Sequence, residues 1–148
     1  MTFEINEPGG QKATVSTNTA VADGDWHHVA AVFEPGKLSL YVDGAAVDST
    51  FAENLQEFTP GDNGQTLLGA KASGETIGSY FTGNIDEIRI WQRSRPAMEI
   101  KQDYNRYISS DQKGLALYHR ADEGTGQHIY DISRTQQEYH KRNGTLMG

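Results

Sequence analysis

A chain of 148 residues with 16 glycines, no cysteine and a net charge of −7 is long enough to bury a core as one domain. The missing cysteines exclude disulfide staples and thiolate metal sites, and no apolar run approaches the length of a membrane span. Residues 1–100 carry a balance of −8 and residues 101–148 one of +1, so the acidic part repels phosphate backbones and no nucleic acid partner is expected.

Thr2 to Asn6 alternates Phe3 and Ile5 with polar neighbours, Pro8-Gly9-Gly10 turns, and Lys12 to Thr17 can pair back. Trp26 to Phe33 carries apolar residues on both faces, which predicts a central strand with Trp26 in the core. Leu38, Leu40 and Val42 alternate with Ser39 and Tyr41, and Asp43-Gly44 supplies the positive φ angles of a type I′ turn. Ala45 to Thr50 should therefore return antiparallel.

Residues 52–64, with Pro60-Gly61-Asp62-Asn63-Gly64, form a polar connection. Thr66 to Gly69 is a short predicted strand and Ala72 to Ser79 a loop. Gly83 to Trp91 is the long closing strand, with a bulge expected near Asp86-Glu87 because Ile85, Ile88 and Ile90 break period two. Ser94 can cap a helix from Arg95 to about Tyr107, with Pro96 in its first turn and Ala97, Ile100, Tyr104 and Tyr107 on one face. Leu115, Leu117 and His119 alternate against Ala116 and Tyr118. Asp122 to Gly126 turns, His128 to Ile132 extends, Ser133 to Asn143 is polar, and Thr145 to Met147 is a last strand.

Three motifs stand in order: Trp26-His27-His28-Val29-Ala30, Leu40-Tyr41-Val42-Asp43-Gly44 and Gly83-Asn84-Ile85-Asp86-Glu87-Ile88-Arg89-Ile90-Trp91. The chain thereby resembles the laminin G-like and pentraxin-like group of the concanavalin A-like lectin/glucanase superfamily. The resemblance implies an all-β fold, an antiparallel β-sandwich of jelly-roll type with one short helix after the closing strand. Residues 114–148 resemble the family's opening segment, with Asp122-Glu123-Gly124-Thr125-Gly126, Asp131-Ile132-Ser133 and Gly144-Thr145-Leu146. In the family that segment comes first; here it follows the closing strand.

Residues 1–148 then read as a single domain cut from a longer chain, with two accounts of the C-terminal segment. It begins the next repeat of a tandem array, or it fills the slot beside the closing strand, within the chain or by exchange in a homo-oligomer.

Retaining glycosidases need two carboxyls about 5 Å apart. Adjacent Asp86 and Glu87 point to opposite faces of a regular strand, and Asn84 stands where a second same-face acid would be needed. No enzymatic activity is expected. The pentraxin-type double calcium site is also in doubt, because Lys71, Ala72 and Ser73 precede the lone Glu75. One structural calcium on Asp86, Asp122, Glu123 and Asp131 stands against the reading that these acids bind their own turns. His27 and His28, as strand neighbours, face opposite sides and do not make a metal pair. Tyr41, Tyr80 and Phe81, next to loops, are the candidate ligand-binding residues.

The expectation is a non-catalytic extracellular or cell-surface module, secreted by a microbe, that binds a glycan or an extracellular protein. The alternatives are a structural spacer or assembly domain, or an accessory domain of a glycoside hydrolase.

Overall fold

The structure, a computed structural model, describes residues 1–6, 12–56, 67–73, 76–134 and 142–146. They form short antiparallel strands with one helix, in two compact units: Met1–Thr59 with Arg93–Ile108, and Pro60–Gln92 with Ser109–Gly148.

In the first unit, β1 (Thr2–Asn6) pairs with β2 (Lys12–Ser16), Thr2 opposite Ser16. The expected turn at Pro8-Gly9-Gly10 lies outside the described residues. The strands β3 (Val29–Glu34), β4 (Lys37–Val42) and β5 (Ala45–Phe51) make an antiparallel meander. Asp43 and Gly44 have φ of 50° and 75°, the two positive values a type I′ turn requires. The register shifts after Leu40, which faces Asp48 while Tyr41 faces Ala46, so Val47 is the extra residue of a bulge.

The β1–β2 hairpin packs on β4 and β5. Ile5, Ala13 and Val15 on the hairpin meet Leu38, Leu40 and Leu55, with Phe33, Val47 and Ala52 at the border. The period-two alternation thus finds its core, and each large side chain buried there contributes about 1.5–3 kcal/mol.

Trp26 departs from expectation: it lies before β3 in a loop, and 67% of its surface is exposed. The cause is the length of its neighbour. Val29 pairs with Val42, the last residue of β4, so residues 26–28 have no ladder to join beyond one bond from Asp43 N–H to His28 O. Nor is β3 covered on both faces, since Val32 is buried but Val29 and Ala31 are exposed.

The helix α1 spans Ala97–Asp103, shorter than expected, and starts after Pro96 rather than at Arg95 behind a Ser94 cap. A residue before proline is disfavoured in the α region, which keeps Arg95 out of the helix. Ile100 is buried and Tyr104 half-buried, whereas Ala97 and Tyr107 are exposed. Tyr104 lies edge-on to His28, with ring centroids 6.3 Å apart. A Cβ at Gly44 would come within 2.9 Å of Tyr104 Cδ1 and 3.1 Å of Lys101 Cα, so the turn also needs glycine for space.

In the second unit, β6 (Lys71–Ser73) and β7 (Thr76–Gly78) form a hairpin where a loop was expected. Gly74 and Glu75 lie outside the described residues, as do residues 57–66, 135–141 and 147–148. The predicted strand at 66–69 is therefore seen only from Leu67, and Leu67–Gly69 is not extended into a ladder.

The closing strand is shorter than predicted: β8 covers Ile88–Trp91 only, because Glu87 has φ of 55° and ends the ladder there. Its register shift falls between Ile90 and Trp91, later than expected. Beside it runs β9 (Leu115–His119), antiparallel, with Ile88 opposite His119, so the C-terminal segment does fill the slot next to the closing strand. All five residues of β9 are buried, both the predicted inward face and its opposite. The strands β10 (His128–Ile129) and β11 (Gly144–Thr145) pair as a small ladder.

Two substitutions separate volume from backbone. Leu40→Ala should lower stability by about 2–5 kcal/mol by opening a cavity. Gly44→Ala should cost about 1–3 kcal/mol through the positive φ and the Tyr104 contact. Urea denaturation measures both, and an unchanged midpoint for Gly44→Ala would refute the packing of α1 on the turn.

Candidate functional site

The loop between β7 and β8 displays aromatic rings. Tyr80 is 71% exposed and Phe81 55% exposed. The loop is fastened by Phe81 N–H donating to Gly69 O at 2.7 Å, and Tyr80 Oη donates to Ile77 O at 3.3 Å. A Cβ at Gly83 would sit 2.8 Å from Phe81 Cε1, so a larger residue there would push the ring aside. The side chain of Ile85 lies beside it, over Gly69. Tyr80 and Phe81 are therefore together on one ordered loop. Tyr41 is half-buried in β4 of the first unit.

A second cluster surrounds His27. Its Nδ1 is 2.8 Å from Asp43 Oδ2 and its Nε2 is 3.1 Å from Asp23 Oδ1. Asp43 Oδ1 accepts the His28 N–H at 2.9 Å, and Asp23 Oδ1 accepts the Asp25 N–H at 3.1 Å. With a carboxylate on each ring nitrogen, the hydrogen bonds to Asp43 and then Asp23 raise the His27 pKa above its usual value. Asp43 is lowered chiefly by His27, and Asp23 chiefly by the Asp25 N–H and then by His27. This ties the Asp43-Gly44 turn to the segment entering β3. The Asp-x-x-x-His spacing was available in the sequence as a signal for this cluster, with exposed Trp26 as its neighbour.

The four acids considered for calcium are each engaged locally. Asp131 is buried, and its Oδ1 accepts the N–H of Tyr118 at 3.1 Å and of Ser133 at 2.9 Å, while Oδ2 accepts that of Arg142 at 3.2 Å. Burial works to raise its pKa, but the Ser133, Tyr118 and Arg142 hydrogen bonds outweigh it and lower the value. Glu123 Oε1 accepts the Tyr130 N–H at 2.9 Å, Asp122 pairs with Arg120 at 3.0 Å, and Asp86 Oδ1 accepts the Glu87 N–H at 2.8 Å. Among the described residues, no three His, Asp or Glu side chains are grouped to hold a metal ion. A calcium ion takes several oxygen ligands at once, and among the described residues these four acids are not gathered into one group.

Asp86 and Glu87 are engaged separately. Glu87 Oε2 accepts the Tyr118 hydroxyl at 2.6 Å and pairs with Arg89, whose guanidinium lies 5.3 Å from the Tyr118 ring centre. Arg120 Nε is 3.7 Å from Glu87 Oε1. Arg89, Tyr118 and Glu87 lock one another, which the adjacent-acid pattern alone could not reveal.

Antiparallel hairpins packed face to face, a single short helix and aromatic rings left on loops define a lectin-like β-sandwich. The chain belongs to the concanavalin A-like lectin/glucanases superfamily, its Laminin_G_3 family model matching residues 1–101. No curated protein matches the chain in sequence. A structure from Bacteroides ovatus, a protein provisionally assigned as carbohydrate binding, is similar with TM-score 0.68 and 23% identity over 94% of this chain. The chain spans 41% of that protein's length. An S-layer domain-containing protein from Clostridium thermocellum matches 68% of this chain and 60% of its own, with TM-score 0.48 and 22% identity. The first of these likenesses shows the fold, and its coverage carries the fold past residue 101.

Two outcomes follow from these clusters. The His27 ring should titrate above about pH 6.5 in ring-proton NMR spectra. Its charge then contributes stability below that ordinary value, and the contribution is lost as pH rises through the elevated folded pKa. His27→Gln should remove this dependence, and a ring titrating below the ordinary value would refute the double pairing.

Asp131→Asn should cost about 1–3 kcal/mol, since an amide cannot accept every N–H the carboxylate accepts. Because the Asp131 pKa is lowered on folding, its contribution holds above the usual carboxylate range and fades as pH falls through the folded value. Melting temperatures in calcium and in chelator should coincide. A rise with calcium would restore the metal reading.

Proposed function

We propose that this chain is a non-catalytic recognition module that binds carbohydrate within a longer surface or secreted protein. The observation that carries the reading is the ordered Tyr80–Phe81 loop. Large apolar rings left in water forgo burial worth about 1.5–3 kcal/mol each, so their display asks for a ligand. Rigid aromatic faces suit the C–H face of a pyranose, and they lose little rotamer freedom on binding. The provisional assignment of the Bacteroides ovatus protein as carbohydrate binding points the same way. Among the described residues beside β8, the Asp86 carboxylate takes the Glu87 N–H and the Glu87 carboxylate holds Tyr118 and Arg89, which favours binding over hydrolysis.

A glycan array tests this directly. The wild-type chain should bind immobilised glycans, and Tyr80→Ala with Phe81→Ala should weaken binding about tenfold or more with the melting temperature retained. Gly83→Ala should weaken it too, by displacing the Phe81 ring. Binding that survives all three changes would remove this loop from the proposal, and hydrolysis of a bound glycan would overturn the non-catalytic reading.

A further inference from the structure

We infer that the first unit carries its own subsite for a neutral saccharide, centred on Phe51. This rests on the carbohydrate-binding reading but not on the Tyr80–Phe81 loop. Phe51 ends β5 with 80% of its surface exposed, more than any other large apolar side chain in the described residues. The ring stands at a depression of about 330 Å3 lined by β2, the end of β5 and the turn that follows. That volume lies at the small end of ligand sites, about 300–1,000 Å3, and suits one or two sugar rings.

The turn beyond Phe51 is held rigidly. Ala52 N–H donates to Gly36 O at 2.8 Å, Gly36 N–H to Leu55 O at 2.7 Å, and Leu55 N–H to Ala52 O at 2.7 Å. The Leu55 side chain is buried in the core, so the wall of the depression is anchored to the sandwich. A preformed wall spares a ligand the entropy of ordering it.

The polar lining selects the chemistry. Thr14, Thr50, Glu53 and Asn54 offer hydroxyl, carboxylate and amide groups around one aromatic ring. None of these four side chains has a hydrogen-bond or ion-pair partner among the described residues. Donors and acceptors ringing a single apolar face match a sugar, whose hydroxyls surround its C–H face. A protein-docking patch would instead present a broader apolar centre.

Charge excludes the anionic sugars. The one cation in the lining, Lys12, is held by Glu4 Oε2 at 2.5 Å, and Glu53 adds a negative charge. A uronate or sulfated sugar would meet no uncompensated positive charge there.

The test is a 15N-HSQC titration of the whole chain with cellohexaose, xylohexaose, laminarihexaose, mannohexaose and hexagalacturonate. At least one neutral oligosaccharide should shift the amide signals of Thr14, Thr50 and Asn54, with hexagalacturonate weaker. Phe51→Ala should weaken that binding about tenfold, while Phe51→Trp should retain it. Phe51 is exposed, so its loss should spare the fold, and Asn54→Ala on the exposed turn gives a second variant. Shifts confined to the Tyr80–Phe81 loop, untouched by either variant, would overturn this subsite and leave the carbohydrate reading standing. Tighter binding of hexagalacturonate here would overturn the neutral specificity. Silence across all five saccharides would overturn the subsite and the carbohydrate reading together.

Discussion

Five consecutive residues, Leu115 to His119, lie buried on both faces, and a buried strand must find backbone partners along both edges. The second unit is organised by that requirement. One edge is met by β8. The other is met by Asp131 and its neighbours: the Asp131 carboxylate takes the Tyr118 N–H, and Ile132 N–H donates to Tyr118 O. His119 bridges to Asp131 and its Nε2 bonds Arg142 O at 2.8 Å. A carboxylate thus completes the work of a ladder. Asp131 and Glu123 give carboxylate oxygens to main-chain N–H groups, and Asp122 pairs with Arg120.

The parts of the fold legible in the sequence were those whose signal is local. Asp43-Gly44 between alternating strands fixes a hairpin whatever surrounds it, and Leu38, Leu40 and Val42 name their buried face by period alone. The pairing of 115–119 with the closing strand was legible only as one of two readings, since edge completion depends on residues far apart in sequence.

Trp26 was misread for a related reason. Its apolar neighbours made a continuous strand pattern, but a strand extends only as far as its partner, and β4 stops at Val42. The β6–β7 hairpin was missed because Ala72 to Ser79 has too little apolar content for a period to show. The positive φ of Glu87 left no mark either, since glutamate carries no turn signal of its own. The exposure of Tyr80 and Phe81 was legible from their place next to loops. Tyr41 was not, because alternation along β4 says which side a residue faces and not how deeply that side is covered. Phe51 gave no signal at all: an aromatic residue closing a strand reads as core until the burial of its neighbours is known.

Charge joins these observations into one chemical picture. An acidic chain could still offer a local basic patch, but five of the described arginines face acids. Arg93 and Arg95 hold Glu99, Arg95 and Arg106 hold Asp103, Arg89 and Arg120 hold Glu87, and Arg120 also holds Asp122. The exposed pairs among these, such as Arg120 with Asp122, add little stability singly. Their larger effect is on recognition, because a cation already facing a carboxylate offers an anionic ligand little net field. Among the large side chains the surface leaves open are the rings of Trp26, Phe51, Tyr80 and Phe81. Arginines that already face acids, beside rings left exposed, suit the ligand proposed above, which brings C–H faces and hydroxyls instead of charge.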